Sequence, residues 1–503
     1  MELVRNFPFF SIMLAMFSGP VCSVLPGRVA RVVNAIVISI VAALSAILMI
    51  FLMASGESFV YMMGHFPAPW GNEIRAGVLE AWMALFFSIV MLLSVLGGIK
   101  KLFDEVVVSK HNLYYVLVGL MLSSLLALVY TNDLFTAYVF VEINTISACG
   151  LIMIRENGRT IEAAVRYMIM SLIGSAMILL GICVLYDLTG HLLMSNIKEQ
   201  VALLVADGSY PEPLLCTIAL MSVGLAIKCA LFPFHAWLPD AYGYSTVSSA
   251  AILSSLVSKG YIFLLIKIIY RVIGFEIYRD SGVIDVLFIF GLAGMIFGSV
   301  SAIRENDVRR MIAYSSVAQI GYIFMGIGMG TQFGMVAAIF HMLSHASTKS
   351  LLFISAIGLT DVSDGSRKFG PLTGSGYRNK IAGLAFAVGA LSMVGVPLFS
   401  GFISKLLFAE AAVNLTGRML PVLIVLGIST ILNAIYFMKT VIRIYTPVDE
   451  AKRVKKEGYE PVHMRQVPLY GVVLCAFVIL NVFLGVMSDS IVDLIRTGLN
   501  MFA

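Results

Sequence analysis

The feature that most constrains this chain is a succession of apolar runs, each about 20 residues long, the length that an α-helix needs to cross a bilayer. The runs continue to within about a dozen residues of the last position. Only 13% of the residues are charged, about half the share of a typical soluble domain. The sequence therefore predicts an all-α integral membrane protein without a soluble domain. No motif indicates a nucleotide loop, a nucleophile triad or a nucleic-acid surface.

Hydropathy predicts 14 transmembrane spans and short connections. The spans lie at about 8–24, 32–54, 77–98, 112–130, 132–154, 163–187, 214–236, 244–271, 283–303, 309–329, 333–360, 380–412, 419–447 and 467–491. The longest polar connections are 188–213 and 448–466. We expect one polytopic domain over residues 1–503, made of an N-terminal part (1–111), a first repeat (112–271), a second repeat (283–447) and a last helix with its tail (467–503).

The distribution of basic residues predicts the orientation. Of the 34 lysines and arginines, four lie inside spans; 22 of the other 30 fall on the side opposite the termini and 8 on the side of the termini. The positive-inside rule places the richer side in the cytoplasm. We therefore expect a multi-pass protein of the cell membrane with both termini outside. The basic cluster Lys452, Arg453, Lys455 and Lys456 is interpreted as a topology signal or lipid contact rather than a specific partner site.

Two consecutive spans each carry a lysine, Lys228 and Lys259, although a charge at the bilayer centre costs about 3 kcal/mol. Pro233 interrupts the first of these spans, and Pro397 interrupts the twelfth span after a similar VG pattern. Broken helices at matching places in two halves indicate an inverted repeat. The pattern predicts two five-helix repeats of opposite orientation, spans 4–8 and 9–13, with spans 7 and 12 broken.

Glu142 lies alone in an apolar span, where a carboxylate usually faces a partner or water. It is either one half of a fixed ion pair or a working group in ion movement, and Lys228 is its expected partner. Lys259 is read as a buried functional lysine, with interfacial snorkelling as the alternative. Lys267 and Arg271, further along that span, are expected to snorkel to the interface.

In the eleventh span, His341, His345 and Lys349 recur every four residues and form one polar stripe over two helical turns. Because histidine titrates near neutral pH, a proton relay is the favoured interpretation; metal binding and hydrogen-bonded packing are the alternatives. Lys405 follows the second break. The six cysteines are scattered without a CxxC pair, so we expect no metal centre and no cofactor.

Four patches carry a resemblance to a known family: LFPFHAWLPDAYGYSTVSSAAILSSLVSKGYIFLL, NDVRRMIAYSSVAQIGY, HMLSHASTKSLLF and GVPLFSGFISKLL. They resemble the antiporter-like membrane subunits of respiratory complex I, Mrp-type cation/proton antiporters and group 4 membrane-bound hydrogenases. The similarity covers spans 4 to 13. The chain looks most similar to the D subunit of Mrp-type antiporters or its hydrogenase counterpart. This resemblance rests on Lys405, the 14 spans and the segment YMMGHFPAPWG. Ala76 to Glu80 departs from the aspartate-led third span usual in Mrp-like chains.

The resemblance implies a role for each ionisable residue. Glu142 and Lys228 match the family's modulating pair, and Lys259 matches its central protonation site. The stripe of His341, His345 and Lys349 matches a histidine/lysine relay, and Lys405 matches the exit residue of the twelfth span.

These expectations combine into a proton-translocating membrane subunit of a multisubunit ion-pumping complex. It would be a non-redox subunit of a proton-translocating oxidoreductase or an antiporter, without a redox centre of its own. Its partners would be other membrane subunits, the lipid bilayer and protons, with sodium left open. A self-sufficient sodium/proton antiporter and a purely structural anchor for a redox arm are the alternatives.

Overall fold

The computed structural model describes residues 2–63, 66, 71–413, 415–447, 462 and 466–502. The basic cluster at 452–456 lies outside the described residues, as does most of the segment YMMGHFPAPWG. Fourteen helical segments follow one another in the described part. They are α1 (Phe7–Val24), α2 (Gly27–Ser55), α3 (Val78–Gly97), α4 (Val108–Tyr130), α5 (Leu134–Met153), α6 (Gly158–Thr189), α7 (Pro211–Lys228), α8 (Val247–Ile273), α9 (Val283–Arg304), α10 (Val308–Gly328), α11 (Gln332–Asp361), α12a with α12b (Lys380–Val394 and Ser400–Val413), α13 (Met419–Ile444) and α14 (Pro468–Val486).

Twelve of these helices are each long and apolar enough to cross a membrane. The other two are α11 and the divided α12. The apolar sequence of α11 is interrupted by its histidines and lysine, although its 30 residues exceed the length of a span. Neither half of α12 is long enough alone, since they contain 15 and 14 residues. The chain is therefore an all-α integral membrane protein, as predicted, and its helices follow the 14 predicted spans.

Short elements connect the spans. The short helices are Glu2–Arg5, Ile99–Glu105, Met194–Ala206, Leu238–Tyr244, Phe275–Asp280, Ser375–Arg378 and Ser488–Asn500. Strands β1 (Phe59–Met62) and β2 (Glu73–Ala76) form an antiparallel pair between α2 and α3. The connection after α6, predicted as a polar loop, contains the helix Met194–Ala206. Its Ile197 and Val201 are buried one turn apart, so an apolar face docks this helix onto the bundle.

The core of the bundle is formed by α8, α10 and α11. The membrane window of α8 is entirely buried and that of α10 almost entirely, and α11 is buried from Gly334 to Thr360. The outer helices instead expose large apolar side chains such as Ile36 on α2 and Ile431 on α13, because lipid tails solvate apolar surface as well as a protein interior does. The ionisable residues predicted inside the membrane thus lie mostly on the helices farthest from lipid.

Close packing of small residues holds α9 against α10. Gly291 on α9 faces Gly321 on α10, and a Cβ on Gly321 would lie 2.6 Å from the Gly291 carbonyl oxygen. Glycines let two membrane helices approach backbone to backbone. This contact fixes α10, and with it the polar face that α10 turns toward α8 and α11.

Candidate functional site

The Glu142 carboxylate and the Lys228 ammonium lie beside each other, 3.7 Å apart between Oε1 and Nζ. Lys228 is fully buried, whereas 27% of the Glu142 side chain is exposed. The nearest acceptor to Lys228 is the Thr145 hydroxyl, at 2.8 Å, while Glu142 accepts a hydrogen bond from the Ser175 hydroxyl. The predicted pair is therefore present, but the ammonium is closer to a neutral hydroxyl than to the carboxylate.

Tyr261 connects this pair to α8. Its hydroxyl lies 3.4 Å from the Thr145 Oγ1 and donates to the Asn144 Oδ1 at 2.9 Å. The Asn144 amide in turn donates to the Ser124 hydroxyl at 2.9 Å. The Lys228 ammonium stands 5.5 Å from the centre of the Tyr261 ring, within the range of a cation–π contact. The Lys228 ammonium is thus surrounded by neutral polar side chains of α5 and α8.

Replacing Tyr261 with phenylalanine should slow proton translocation up to about tenfold. One intramolecular hydrogen bond contributes about 1 kcal/mol, and without it the Asn144 Oδ1 loses the donor that holds it. The rate is measured as proton uptake into liposomes that contain the assembled complex. Tyr278→Phe is the matched control, since that buried hydroxyl bonds Ser222 at 2.7 Å, two turns before Lys228. Equal slowing in both variants would contradict a specific role for Tyr261.

Lys259 lies at the centre of the bundle and is fully buried. Its ammonium donates to the Ser254 carbonyl at 2.5 Å and lies 3.3 Å from the Ser258 hydroxyl. Residues Leu253–Val257 form a π-helical turn just before it, a local widening of the helix that is frequent at functional sites. Among the described residues no carboxylate lies within ion-pair distance of Lys259. In the part of the chain that the structure describes, its hydrogen bonds go to a carbonyl and a hydroxyl, and its burial shows that the snorkelling alternative is wrong.

A chain of short polar contacts links Lys259 on α8 to Lys349 on α11. The Ser254 hydroxyl lies 3.2 Å from that of Ser316 on α10, and Ser316 donates to the Ile312 carbonyl at 3.2 Å. The Lys349 ammonium donates to the same carbonyl at 2.9 Å. These contacts cross from the predicted first repeat to the predicted second repeat.

The two histidines continue the polar line along α11. Their rings are parallel and 6.0 Å apart between centroids, and both residues are buried. The His341 Nδ1 is 2.6 Å from the Ser404 hydroxyl. The His341 Nε2 and both nitrogens of His345 have no hydrogen-bond partner among the described residues. The stripe therefore presents three buried nitrogens that are free to accept or donate a proton.

Lys405 ends the line beside the break in α12. Its ammonium donates to the last carbonyls of α12a, those of Met393 at 3.1 Å and Val394 at 2.5 Å. Gly395 has a φ of 93°, and a Cβ there would lie 3.0 Å from the Lys405 Cδ. Glycine thus allows the turn and leaves room for the lysine. A cation at a helix C-terminus is stabilised by the helix dipole.

Both predicted breaks are present. Helix α7 ends at Lys228, and irregular turns that contain Pro233 lead to the short helix Leu238–Tyr244. Helix α12a ends at Val394, and α12b resumes at Ser400 after Pro397. Each break has a lysine ammonium beside it: Lys228 is the last residue of α7, and Lys405, inside α12b, reaches back to the end of α12a.

The expectation that Lys267 and Arg271 snorkel is wrong, because both side chains are buried. The Lys267 ammonium donates to the carbonyls of Leu128 and Val129 at 3.2 and 3.0 Å, at the end of α4. The carbonyls of a helix end lack intrahelical partners. Lys267 satisfies them and so has no need to reach the interface.

Arg271 forms a buried ion pair with Glu80, 2.5 Å apart between Nη2 and Oε1. Glu80 also accepts from the Gly77 amide at 3.1 Å, and the Phe502 ring covers the guanidinium at 3.8 Å. Sequence reasoning noted Glu80 only as a departure from a family pattern. Glu80 is the only carboxylate of the third predicted span, but it lies in the first turn of the helix, where an acidic residue is common, whereas Glu142 lies in the middle of its span.

Comparisons with known proteins identify relatives of this chain. A model of the family described as "NADH:quinone oxidoreductase/Mrp antiporter, TM" matches residues 131–432. The chain is 33% identical over 393 residues to NADH-quinone oxidoreductase subunit N of Desulforudis audaxviator, which covers 78% of this chain and 76% of that protein.

Two solved structures share the fold over the whole chain. One is the membrane-bound sulfane sulfur reductase, an archaeal respiratory membrane complex, with a TM-score of 0.87 and 25% identity over 100% of this chain and 98% of the other. The second is the Mrp complex from Dietzia sp. DQ12-45-1b, with a TM-score of 0.85, 23% identity and the same coverage. At this identity, the similarity to the Mrp complex shows a shared fold and nothing more.

Proposed function

The chain belongs to the NADH:quinone oxidoreductase/Mrp antiporter membrane family, and on that premise we propose that it is the proton-translocating, antiporter-like membrane subunit of a multisubunit ion-pumping complex. The observation that carries the proposal is the line of buried lysines and histidines through the core. Each buried charge is costly in a bilayer. A series of them joined by hydrogen-bonding groups is best accounted for by proton movement.

The proposed path begins at Glu142 and Lys228 and passes to Lys259. Support for the first step comes from Tyr261, which follows Lys259 by two residues and whose ring lies 5.5 Å from the Lys228 ammonium. The next step leads to Lys349, and its support is the chain of contacts through Ser254 and the Ile312 carbonyl.

The second half of the path runs along α11 to the break in α12. His345 and His341 would pass protons between Lys349 and Lys405, with water bonded to the ring nitrogens that have no partner among the described residues. Buried polar groups without a protein partner are usually satisfied by ordered water. His341 contacts Ser404 on α12b, the helix that also carries Lys405, which supports α12b as the end of this half of the path.

Coupling would act through the position of Lys228. Its ammonium can bond Thr145, as it does here, or close the distance of 3.7 Å to Glu142. Each position changes the field at Lys259 and therefore the readiness of that lysine to hold a proton. A membrane potential of 100 mV supplies about 2.3 kcal/mol per charge moved, enough to bias such a step. The inverted repeats, spans 4–8 and 9–13, would supply the two half-channels.

We also propose in which membrane the chain lies and with which subunits it assembles. The excess of basic residues on one side supports the cell membrane with both termini outside. A relative named as a subunit of NADH-quinone oxidoreductase and a neighbour from an archaeal respiratory membrane complex support other membrane subunits as partners. Protons are the proposed cargo, and the proposal leaves movement of sodium by the complex open.

Reconstitution of the purified complex tests this function. Liposomes that contain the chain with its partner subunits should take up protons when energised, whereas liposomes with the chain alone should not exchange protons for sodium. A pH-sensitive dye inside the liposomes and uptake of radioactive sodium measure the two ions. Sodium/proton exchange by the isolated chain would contradict the proposal and support a self-sufficient antiporter.

A further inference from the structure

A basic cavity of about 370 Å³ opens at the end of the bundle opposite the termini. It is lined by Arg155, Asn157, Gly158, Arg159, Tyr244 and Arg367. Among the described residues that line it, none is a carboxylate and none belongs to the line of lysines and histidines. The cavity therefore requires an explanation separate from proton movement.

The guanidinium charges of this cavity are only partly compensated. Arg155 is 3.7 Å from Glu105, and Arg367 is 3.3 Å from Asp307. Arg159 is exposed and has no carboxylate within ion-pair distance in the part of the chain that the structure describes. Three guanidiniums thus face two carboxylates, neither of which lines the cavity, so the space favours an anion.

Backbone amides add to this preference. Helix α6, 32 residues long, begins at Gly158, and the Asn157 side chain caps it by accepting from the Thr160 amide. The amides of Gly158 and Arg159 have no hydrogen-bond partner among the described residues. A Cβ built on Gly158 would meet no atom within 4 Å, so the space beside this first residue of the helix is open. Together with the helix dipole, the two amides favour phosphate oxygens.

Tyr244 holds the arginines in place. The guanidinium carbons of Arg159 and Arg367 lie 5.5 and 5.8 Å from its ring centre, within the range of cation–π contacts. Arg367 also donates to the Gly243 carbonyl at 2.6 Å, and Arg155 to the Tyr244 carbonyl at 3.1 Å. Two of the three guanidiniums are therefore fixed by the backbone before any ligand arrives.

We propose that this cavity binds the phosphate group of an anionic phospholipid. The chemistry required is that of a phosphate, which guanidinium forks and helix N-terminal amides recognise. A lipid is favoured over free phosphate because the first turns of α6 expose Ile161 and Val165, 45% and 52% accessible, where acyl chains can lie. The distribution of basic residues predicts that this end faces the cytoplasmic leaflet, where basic pockets between helices bind anionic headgroups. The binding site does not depend on the proposed proton path.

The test compares lipid retention by the assembled complex carrying wild-type chain or Arg159→Gln. Each sample is washed in detergent, incubated with phosphatidylglycerol, phosphatidylcholine or inorganic phosphate, and analysed by native mass spectrometry. Wild-type complex should retain phosphatidylglycerol at least about tenfold better than phosphatidylcholine, and Arg159→Gln should lose most of that preference. Inorganic phosphate at millimolar concentration should displace the lipid only weakly.

Arg166→Gln is the matched control, because Arg166 lies on the same helix but is neutralised by Glu162 and Asp240. That variant should retain the lipid as the wild type does, and both variants should keep the thermal stability of the wild type. Unchanged lipid retention in Arg159→Gln, or equal loss in Arg166→Gln, would overturn the proposal. Full displacement by inorganic phosphate would show that the cavity binds free phosphate rather than the phosphate group of a lipid. Loss of a partner subunit from Arg159→Gln without loss of lipid would assign the cavity to an acidic protein.

Discussion

Replacing Lys259 with alanine is expected to abolish proton translocation by the assembled complex, a fall of at least about 100-fold, the usual contribution of a positioned proton-transfer group. Lys259 is fully buried, and its Ser254 contact begins the chain of groups that leads to Lys349. Without an amine there, a proton at Lys228 would have no acceptor between the two halves. The rate of proton uptake into energised liposomes measures the effect.

The same experiment separates loss of function from loss of the complex. Lys259→Met keeps the length of the side chain without its charge and should be as inactive as the alanine variant. Lys101→Ala removes a lysine of a partly exposed pair with Asp361 and should translocate protons at the wild-type rate. All three variants should assemble with the same subunits. Wild-type rates in the Lys259 variants would refute the proton path.

Glu80→Ala is expected to lower the free energy of unfolding by about 3–5 kcal/mol, because it leaves a buried guanidinium without its carboxylate. Glu80 and Arg271 are almost completely inaccessible, at 0% and 2% of their side chains. Two other nitrogens of Arg271, Nε and Nη1, have no hydrogen-bond partner among the described residues, so the contact with the Phe502 ring would be left to oppose the charge. Unfolding of the purified protein in increasing concentrations of denaturing detergent measures the loss.

Two further variants test whether the lost ion pair is the cause. In the double variant Glu80→Leu with Arg271→Met, apolar groups replace both charges, and most of the stability should return. Glu276→Ala removes the exposed partner of Arg279 and should change stability by less than about 1 kcal/mol. A double variant as unstable as Glu80→Ala would show that packing rather than the charge pair is responsible.

The predictions from sequence were most successful where the bilayer restricts which structures and residues a span can contain. An apolar run of span length allows few alternatives to a helix, and a proline or lysine inside it is costly enough to need a reason. For this reason the helices, the breaks at Pro233 and Pro397, and the proximity of Glu142 to Lys228 were all predictable. The roles of these residues remain proposals.

The parts that sequence reasoning missed depend on partners far apart in the chain. Lys267 looked like a residue near the end of a span, and only the fold brings the end of α4 to it. Arg271 meets Glu80, 191 positions earlier. Tyr261, Asn144 and Thr145 escaped notice because neutral polar side chains are common in membrane helices and single ones carry little signal.

The measurement that tests the central claim most directly is the charge moved across the membrane when complex carrying Lys259→Ala is energised, recorded with time resolution in liposomes. If protons cross through the polar line of this chain, the variant should move less charge than the wild type. Its charge movement should also stop once the groups before Lys259 have reacted. A displacement of full amplitude that continues as sustained current would contradict the account, because protons would then cross the membrane without Lys259.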